Sequence, residues 1–173
     1  MNKADLIVCM DRARDEWELL INHVGVSRTA IGGVSGHWSV KNIVAHIMVH
    51  EQYLADRLAE VARGELFYPC ETPSLLDTFM AEFGYPDFES PVISEEAANE
   101  WIYQKYKNLE MNELIADELQ AYEMILTEVR AMPQGKLDQQ GLVEKIKAAT
   151  LDHYRYHSAN IRKRFKHSVL RNS

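Results

Sequence analysis

Apolar residues in this chain recur at helical intervals over most of its length, and this spacing limits the folds available to it. In the first segment, about residues 2–24, they repeat every three or four positions and so share one side of an α-helix. Stretches at about 39–63, 94–132 and 142–166 repeat the pattern, without the strict alternation typical of a β-strand. We therefore predict an all-α fold built from four long amphipathic helices.

Residues that cap or break helices mark the expected boundaries. Ser39 can cap the second helix, because its hydroxyl accepts hydrogen bonds from amides of the first turn, and Gly64 can end that helix. Ser94 is the expected start of the third helix, with a break near Asn108. Residues 25–37 are rich in glycine and serine and are expected to form a loop.

The second and third helices are joined by a long connection, residues 65–93, which is rich in proline and aromatic residues. Such a connection is uncommon within a compact domain and is often functional. A short helix is expected from about Leu75 to Phe83. Two compatible interpretations stay open: a lid over a site, and a crossover along the length of a bundle. The aromatic residues are Phe67, Tyr68, Phe79, Phe83, Tyr85 and Phe88.

Length and charge limit the domain count and the partners. A chain of 173 residues suits one domain, so residues 1–173 are expected to fold as a single unit. The 19 Lys and Arg against 26 Asp and Glu give a formal charge of −7, which argues against nucleic acid or an anionic membrane as a partner. The first residues lack the apolar stretch of a signal peptide, and no membrane-spanning run follows. We expect a cytoplasmic protein.

Histidines form two pairs with helical spacing, His46 with His50 and His153 with His157. Residues four apart lie one turn apart on the same side of a helix. Each pair interrupts an apolar stripe, so both pairs are expected to face the interior. A lone inward histidine is usually a hydrogen-bonded core residue. Several together need a reason, because each buried polar group without a partner costs about 1–3 kcal/mol.

A shared metal ion would remove that cost. Three imidazoles suit Zn, Ni, Fe, Mn or Co and leave coordination positions for water or substrate. Cys9 and Cys70 stand alone in the sequence and indicate neither a disulfide framework nor a thiolate zinc site. The other histidines have no spaced partner and are expected on the surface or in loops; they are His23, His37 and His167.

Three side chains are candidates for proton transfer: His50 of the first histidine pair, and two residues adjacent in sequence to a paired histidine. Glu51 could act as a base or orient a ligand, although an acid on a helix flank is usually just solvated. His50 could serve as a fourth ligand or a proton carrier. Tyr154 could donate a hydrogen bond to a substrate, and packing is the commoner role for such a residue.

Two stretches of the sequence resemble the signatures of a known family. Trp38 to His46, WSVKNIVAH, resembles the W-S-x-K-[DE]-x-x-x-H signature that opens the second helix of the DinB-like (DinB/YfiT) superfamily. Thr150 to His157, TLDHYRYH, resembles its fourth-helix signature, in which H-x-x-x-H supplies two metal ligands. The order and separation also match, and the similarity runs from about residue 5 to residue 165.

The resemblance implies a four-helix bundle in up-down-down-up order, with residues 65–93 as the crossover. It also implies a divalent cation held by His46, His153 and His157. His50 departs from the pattern, because relatives often have an aromatic residue there, so three-His and four-His sites both stay open. Asn42 stands where an acid is more usual.

Members of this superfamily resemble metal-dependent thiol transferases, isomerases or small-molecule hydrolases, and bundles without the histidines protect against a reactive natural product. The leading hypothesis is a divalent-metal-dependent enzyme, a small-molecule hydrolase or a thiol-dependent transferase, in which Glu51, His50 or Tyr154 assists proton transfer. One alternative is a noncatalytic bundle that binds or sequesters a small molecule. Another is a scaffold that oligomerises, with a homodimer as the simplest form.

Overall fold

The computed structural model describes residues 1–66 and 68–166, and this part of the chain is helical and contains no β-strand. The all-α prediction is therefore confirmed. A 3₁₀ turn covers Val26–Arg28, and a π-helical segment covers Ala148–Asp152. The α-helices are α1 (Lys3–Val24), α2 (Val40–Ala62), α3 (Pro73–Phe83), α4 (Glu95–Tyr106), α5 (Met111–Ala131), α6 (Gln134–Leu137), α7 (Leu142–Lys147) and α8 (His153–Arg164).

The chain divides into two compact units. One consists of Met1–Val44 together with Pro133–Ser173, and the other of Ala45–Met132. The single domain expected for residues 1–173 stays a prediction. Among the described helices, none has both the length and the hydropathy of a membrane span.

In the first unit, α1 packs against the π-helical segment and α8. Its buried stripe follows the predicted helical spacing with two differences, and one is that Leu20, expected on the stripe, is partly exposed. Arg14 is only 5% exposed and lies on the stripe, whereas the neighbouring Ala13 is partly exposed. The apolar members of the stripe are Leu6, Met10, Trp17, Ile21 and Val24.

Ser39 caps α2 as the sequence predicts. The backbone amide of Asn42 donates to Ser39 Oγ at 3.3 Å, and the backbone amide of Ser39 donates to Asn42 Oδ1 at 2.9 Å. This exchange resembles a capping box in which an amide side chain replaces the usual acid. It gives Asn42 a local function where the family signature has Asp or Glu. The helix gives way to a turn at Gly64, whose φ of 87° lies in the left-handed region that favours glycine.

Residues 65–93 are structured around the side chain of Asp87, which is 1% exposed. Its carboxylate accepts hydrogen bonds from the Tyr53 hydroxyl at 2.7 Å, the Cys70 amide at 2.7 Å and the Glu89 amide at 3.0 Å. Because Tyr53 belongs to α2, these bonds tie the connection to that helix. The predicted short helix is α3, capped by Thr72. Phe67 lies outside the described residues.

The third predicted helix is divided into α4 and α5, as expected from the break near Asn108. The apolar spacing predicts that the buried side of α5 begins with Ile115 and Leu119, and the structure differs from this prediction. Leu119 is 41% exposed, whereas Glu118 beside it is 2% exposed. The buried residues of the first turns are Met111, Leu114 and Glu118. The buried positions here therefore lie one residue before the predicted ones.

Candidate metal centre

Three of the paired histidines converge in the structure. His46 belongs to α2, whereas His153 and His157 belong to α8. Each offers one ring nitrogen, and these atoms all lie within 4.8 Å of one another. His46 and His157 are buried, and His153 is partly buried. The three residues that the family resemblance implies as ligands are thus close enough to share an ion.

The two histidines of α8 are held as neutral imidazoles. Burial lowers the pKa of His153 to about 4, against an opposing hydrogen bond to the Ala149 backbone. Burial also lowers the pKa of His157 to about 3, with a further contribution from His153, whose ring centroid lies 4.8 Å away. A neutral imidazole carries the lone pair that a metal requires. Both residues are therefore in the ligand form at neutral pH.

The donor set fits a divalent transition metal. Three neutral imidazoles suit Zn, Ni, Fe, Mn or Co, and three protein ligands leave room for water or substrate. A structural zinc site usually has four protein ligands and often includes cysteine. The histidine group contains neither of the cysteines. Its chemistry therefore matches an open site better than a closed structural one.

His50 lies beside this group and is not one of its members. Its ring centroid is 4.4 Å from that of His46, and its ring also stacks on Phe88, with the centroids 4.0 Å apart. Phe88 follows directly after Asp87, the residue that ties the connection to α2. The connection thus contacts a histidine adjacent to a candidate ligand, and His50 is partly exposed.

Glu51 and Tyr154 are both buried, at 0% and 2% exposure. Neither belongs to the converging group of histidines. The Tyr154 hydroxyl accepts a hydrogen bond from Arg14 Nη1 at 3.2 Å, and its ring stacks on Trp17 at 5.6 Å. This environment matches the packing role considered for Tyr154. The burial of Glu51 differs from the solvated flank that is usual for an acid. Proton-transfer roles for both stay predictions.

Among the described residues, no other histidine and neither cysteine belongs to the converging group. His23 and His37 are exposed, as the sequence predicts for histidines without a spaced partner. His167 falls outside the described residues. Cys9 and Cys70 are partly buried thiols, and burial together with the nearby Asp87 raises the pKa of Cys70 to about 11.

Sequence reasoning missed several buried charges. Asp87 gave no periodic signal because it lies in a connection. Arg14 could have been found, since it lies four residues after Met10 on the apolar stripe of α1. Arg57 is 8% exposed and sits 4.4 Å from the ring centroid of Phe83, a cation–π arrangement, with Glu60 accepting its hydrogen bond at 2.6 Å.

The unit Ala45–Met132 also contains a half-open cavity of about 350 Å³. The side chains that line it are mostly those of methionine, tyrosine and glutamine, with one carboxylate. The lining residues are Met48, Val49, Gln52, Tyr85, Tyr106, Asp117, Gln120 and Met124. The size is within the range of small-molecule sites.

Comparison with known proteins identifies a similar fold. No protein-family model matches this chain, and no curated protein matches it. The crystal structure of an uncharacterised protein from Escherichia coli UTI89 superposes with a TM-score of 0.75 and 16% sequence identity, over 96% of this chain and 94% of that chain. At this identity, the similarity concerns the fold alone.

Proposed function

We propose that this protein is a divalent-metal-dependent enzyme of the DinB-like superfamily that acts on a small molecule, as a hydrolase or a thiol-dependent transferase. The observation that carries the proposal is the convergence of His46, His153 and His157, whose ligand atoms lie within 4.8 Å of one another. The proposal includes an up-down-down-up four-helix bundle with residues 65–93 as the crossover. A cytoplasmic location and a homodimer remain predictions.

The three histidines would hold Zn, Ni, Fe or Mn through neutral ring nitrogens. When bound, such an ion supplies Lewis acidity to a coordinated substrate or water molecule. His50 is the side chain best placed to move a proton, because its ring adjoins His46 and is partly exposed. Glu51, buried on the same helix, is the second candidate.

Metal binding by purified protein tests the ligand assignment. We expect one Zn²⁺ or Ni²⁺ per chain in a calorimetric titration. His153→Ala should lower the affinity by more than about 100-fold, the upper range for loss of a residue that only supports a ligand. The matched control is His23→Ala, an exposed histidine on α1, which should bind like wild type.

Absence of binding by wild type, or equal affinity in wild type and His153→Ala, would contradict the assignment. A screen of small esters and thiol acceptors with a panel of metals then tests for catalysis. His50→Gln and Glu51→Gln should each retain the bound ion. A loss of turnover in either would identify that residue as a proton carrier.

A noncatalytic binding protein is the second candidate, and the cavity of about 350 Å³ favours it. The two functions differ in the access of small molecules to the metal. For an enzyme, adding azide to the Co²⁺-loaded protein should change its visible absorption, since an open position accepts the anion. An unchanged spectrum, together with ligand binding that survives His153→Ala, would support the binding protein instead.

A further inference from the structure

The helix that carries two of the candidate ligands is interrupted just before the first of them. Residues Leu142–Lys147 and His153–Arg164 are α-helical, and Ala148–Asp152 between them is π-helical. Short π-helical insertions are rare and occur frequently at functional sites. The helical period alone predicts a continuous helix from Leu142 onward, so the interruption is a feature that the sequence pattern did not reveal.

A π-helical turn changes which backbone groups pair. Each carbonyl accepts from the amide five residues later instead of the amide four residues later. Where the α-helical pattern resumes, one carbonyl therefore loses its amide donor and can accept from a side chain. The Ala149 carbonyl lies in this segment, and it accepts a hydrogen bond from the ring of His153. A ring nitrogen that donates this bond carries the proton. The other nitrogen of His153 then keeps the lone pair that a metal needs.

Thr150 is the side chain placed to favour the interruption. It is fully buried, and its hydroxyl donates to the Ile146 carbonyl at 2.7 Å. A threonine that bonds back to the carbonyl four residues earlier competes with the helical amide and often bends the helix. Here the bond joins Ile146, in the last turn of α7, to Thr150 in the π-helical segment, next to Ala149.

The other end of the segment is fixed through Tyr154, directly after His153. Its ring stacks on Trp17 of α1 at 5.6 Å with an interplanar angle of 11°, and Arg14 donates to its hydroxyl. The backbone around His153 is thus held on one side by Thr150 and on the other by α1. A ligand between two such anchors has little freedom to rotate.

We infer that the π-helical segment is a positioning device for the metal ligand His153: Thr150 maintains it, and the Ala149 carbonyl fixes the tautomer and orientation of the His153 ring. The inference rests on the proposed function, because the orientation matters for an ion shared with His46 and His157. Thr150 is a positioning residue, since it acts through His153.

The tautomer of His153 can be measured in the metal-free protein. Long-range ¹H–¹⁵N correlation spectra distinguish the two ring nitrogens, and His153→Gln identifies the signals by their loss. Wild type should show one tautomer. Thr150→Val, which removes the hydroxyl and keeps the shape, should show averaged signals. Thr150→Ser, which retains the hydroxyl, should restore the single tautomer.

Titration of the same samples with Zn²⁺ gives the second readout. We expect Thr150→Val to weaken Zn²⁺ binding about 10- to 100-fold and Thr150→Ser to bind like wild type. Thr78→Val is the matched control, because the Thr78 hydroxyl makes the same bond to the Ser74 carbonyl, at 2.9 Å, on the exposed side of α3. It should change neither readout. If Thr150→Val does not fold, Thr150→Ala carries the same expectations.

The failure of this inference differs from the failure of the proposed function. A wild type that binds no Zn²⁺ overturns the proposed function and the positioning role that depends on it. A wild type that binds Zn²⁺, with Thr150→Val unchanged in both tautomer and affinity, overturns the positioning role alone.

Discussion

At the scale of single residues, the two histidines of α8 make the stability of the metal-free protein depend on pH. In the unfolded chain each takes up a proton near its ordinary pKa of 6.5, whereas in the metal-free folded protein burial lowers the pKa of His153 to about 4 and that of His157 to about 3. Between these values the unfolded state binds more protons. Stability therefore falls as the pH is lowered through this window.

We expect the free energy of unfolding of the metal-free protein to decrease from pH 6.5 toward pH 4, by up to about 1.4 kcal/mol per pH unit for each histidine. His157→Gln should show a shallower decrease, because glutamine does not titrate. Urea unfolding at several pH values, with a chelator present, measures this. Equal pH dependence in wild type and His157→Gln would contradict the assignment, and His23→Gln provides the exposed control.

At the scale of the structural element, Asp87 holds residues 65–93 against α2. The Tyr53 hydroxyl stays protonated and donates to it, since burial and the Asp87 carboxylate both raise the pKa of Tyr53. The bond to the Cys70 amide reaches the opposite end of the connection. One carboxylate thus organises a long segment that has little apolar periodicity of its own.

Asp87→Ala should lower the free energy of unfolding by about 3 kcal/mol, because it leaves buried donors without their charged acceptor. It should also increase proteolytic cleavage within residues 65–93. Asp77→Ala, an exposed acid on α3, is the control and should change neither. A loss below about 1 kcal/mol, with cleavage unchanged, would show that other contacts hold the connection.

The elements also show where periodicity reaches its limit. It located α1 and α2 because the stripe of each is long and regular. It misplaced the start of the α5 stripe, since Glu118 occupies a buried position that hydropathy assigned to Leu119. It did not detect the π-helical segment, because the buried positions on both sides, among them Ile146, Thr150 and Tyr154, keep a four-residue spacing through it.

At the scale of the whole molecule, the boundary between the two compact units lies inside α2, between Val44 and Ala45. Residues 43–49 of this helix are all buried. Unfolding one unit by itself would break α2 within its most buried stretch. We therefore expect thermal unfolding of the metal-free protein in a single transition, with equal calorimetric and van't Hoff enthalpies. Two separate transitions would contradict the prediction of a single domain for residues 1–173.

The sequence by itself determined the helical class, the main boundaries and the four-residue spacing of the two histidine pairs, because each depends on local periodicity and capping. The tertiary structure decided which histidines converge, since His46 and the α8 pair lie more than one hundred residues apart in the chain. It also decided the burial of Arg14 and Asp87. Long-range packing sets these properties, because the partners of a side chain depend on which element covers it. A local sequence pattern does not contain this information.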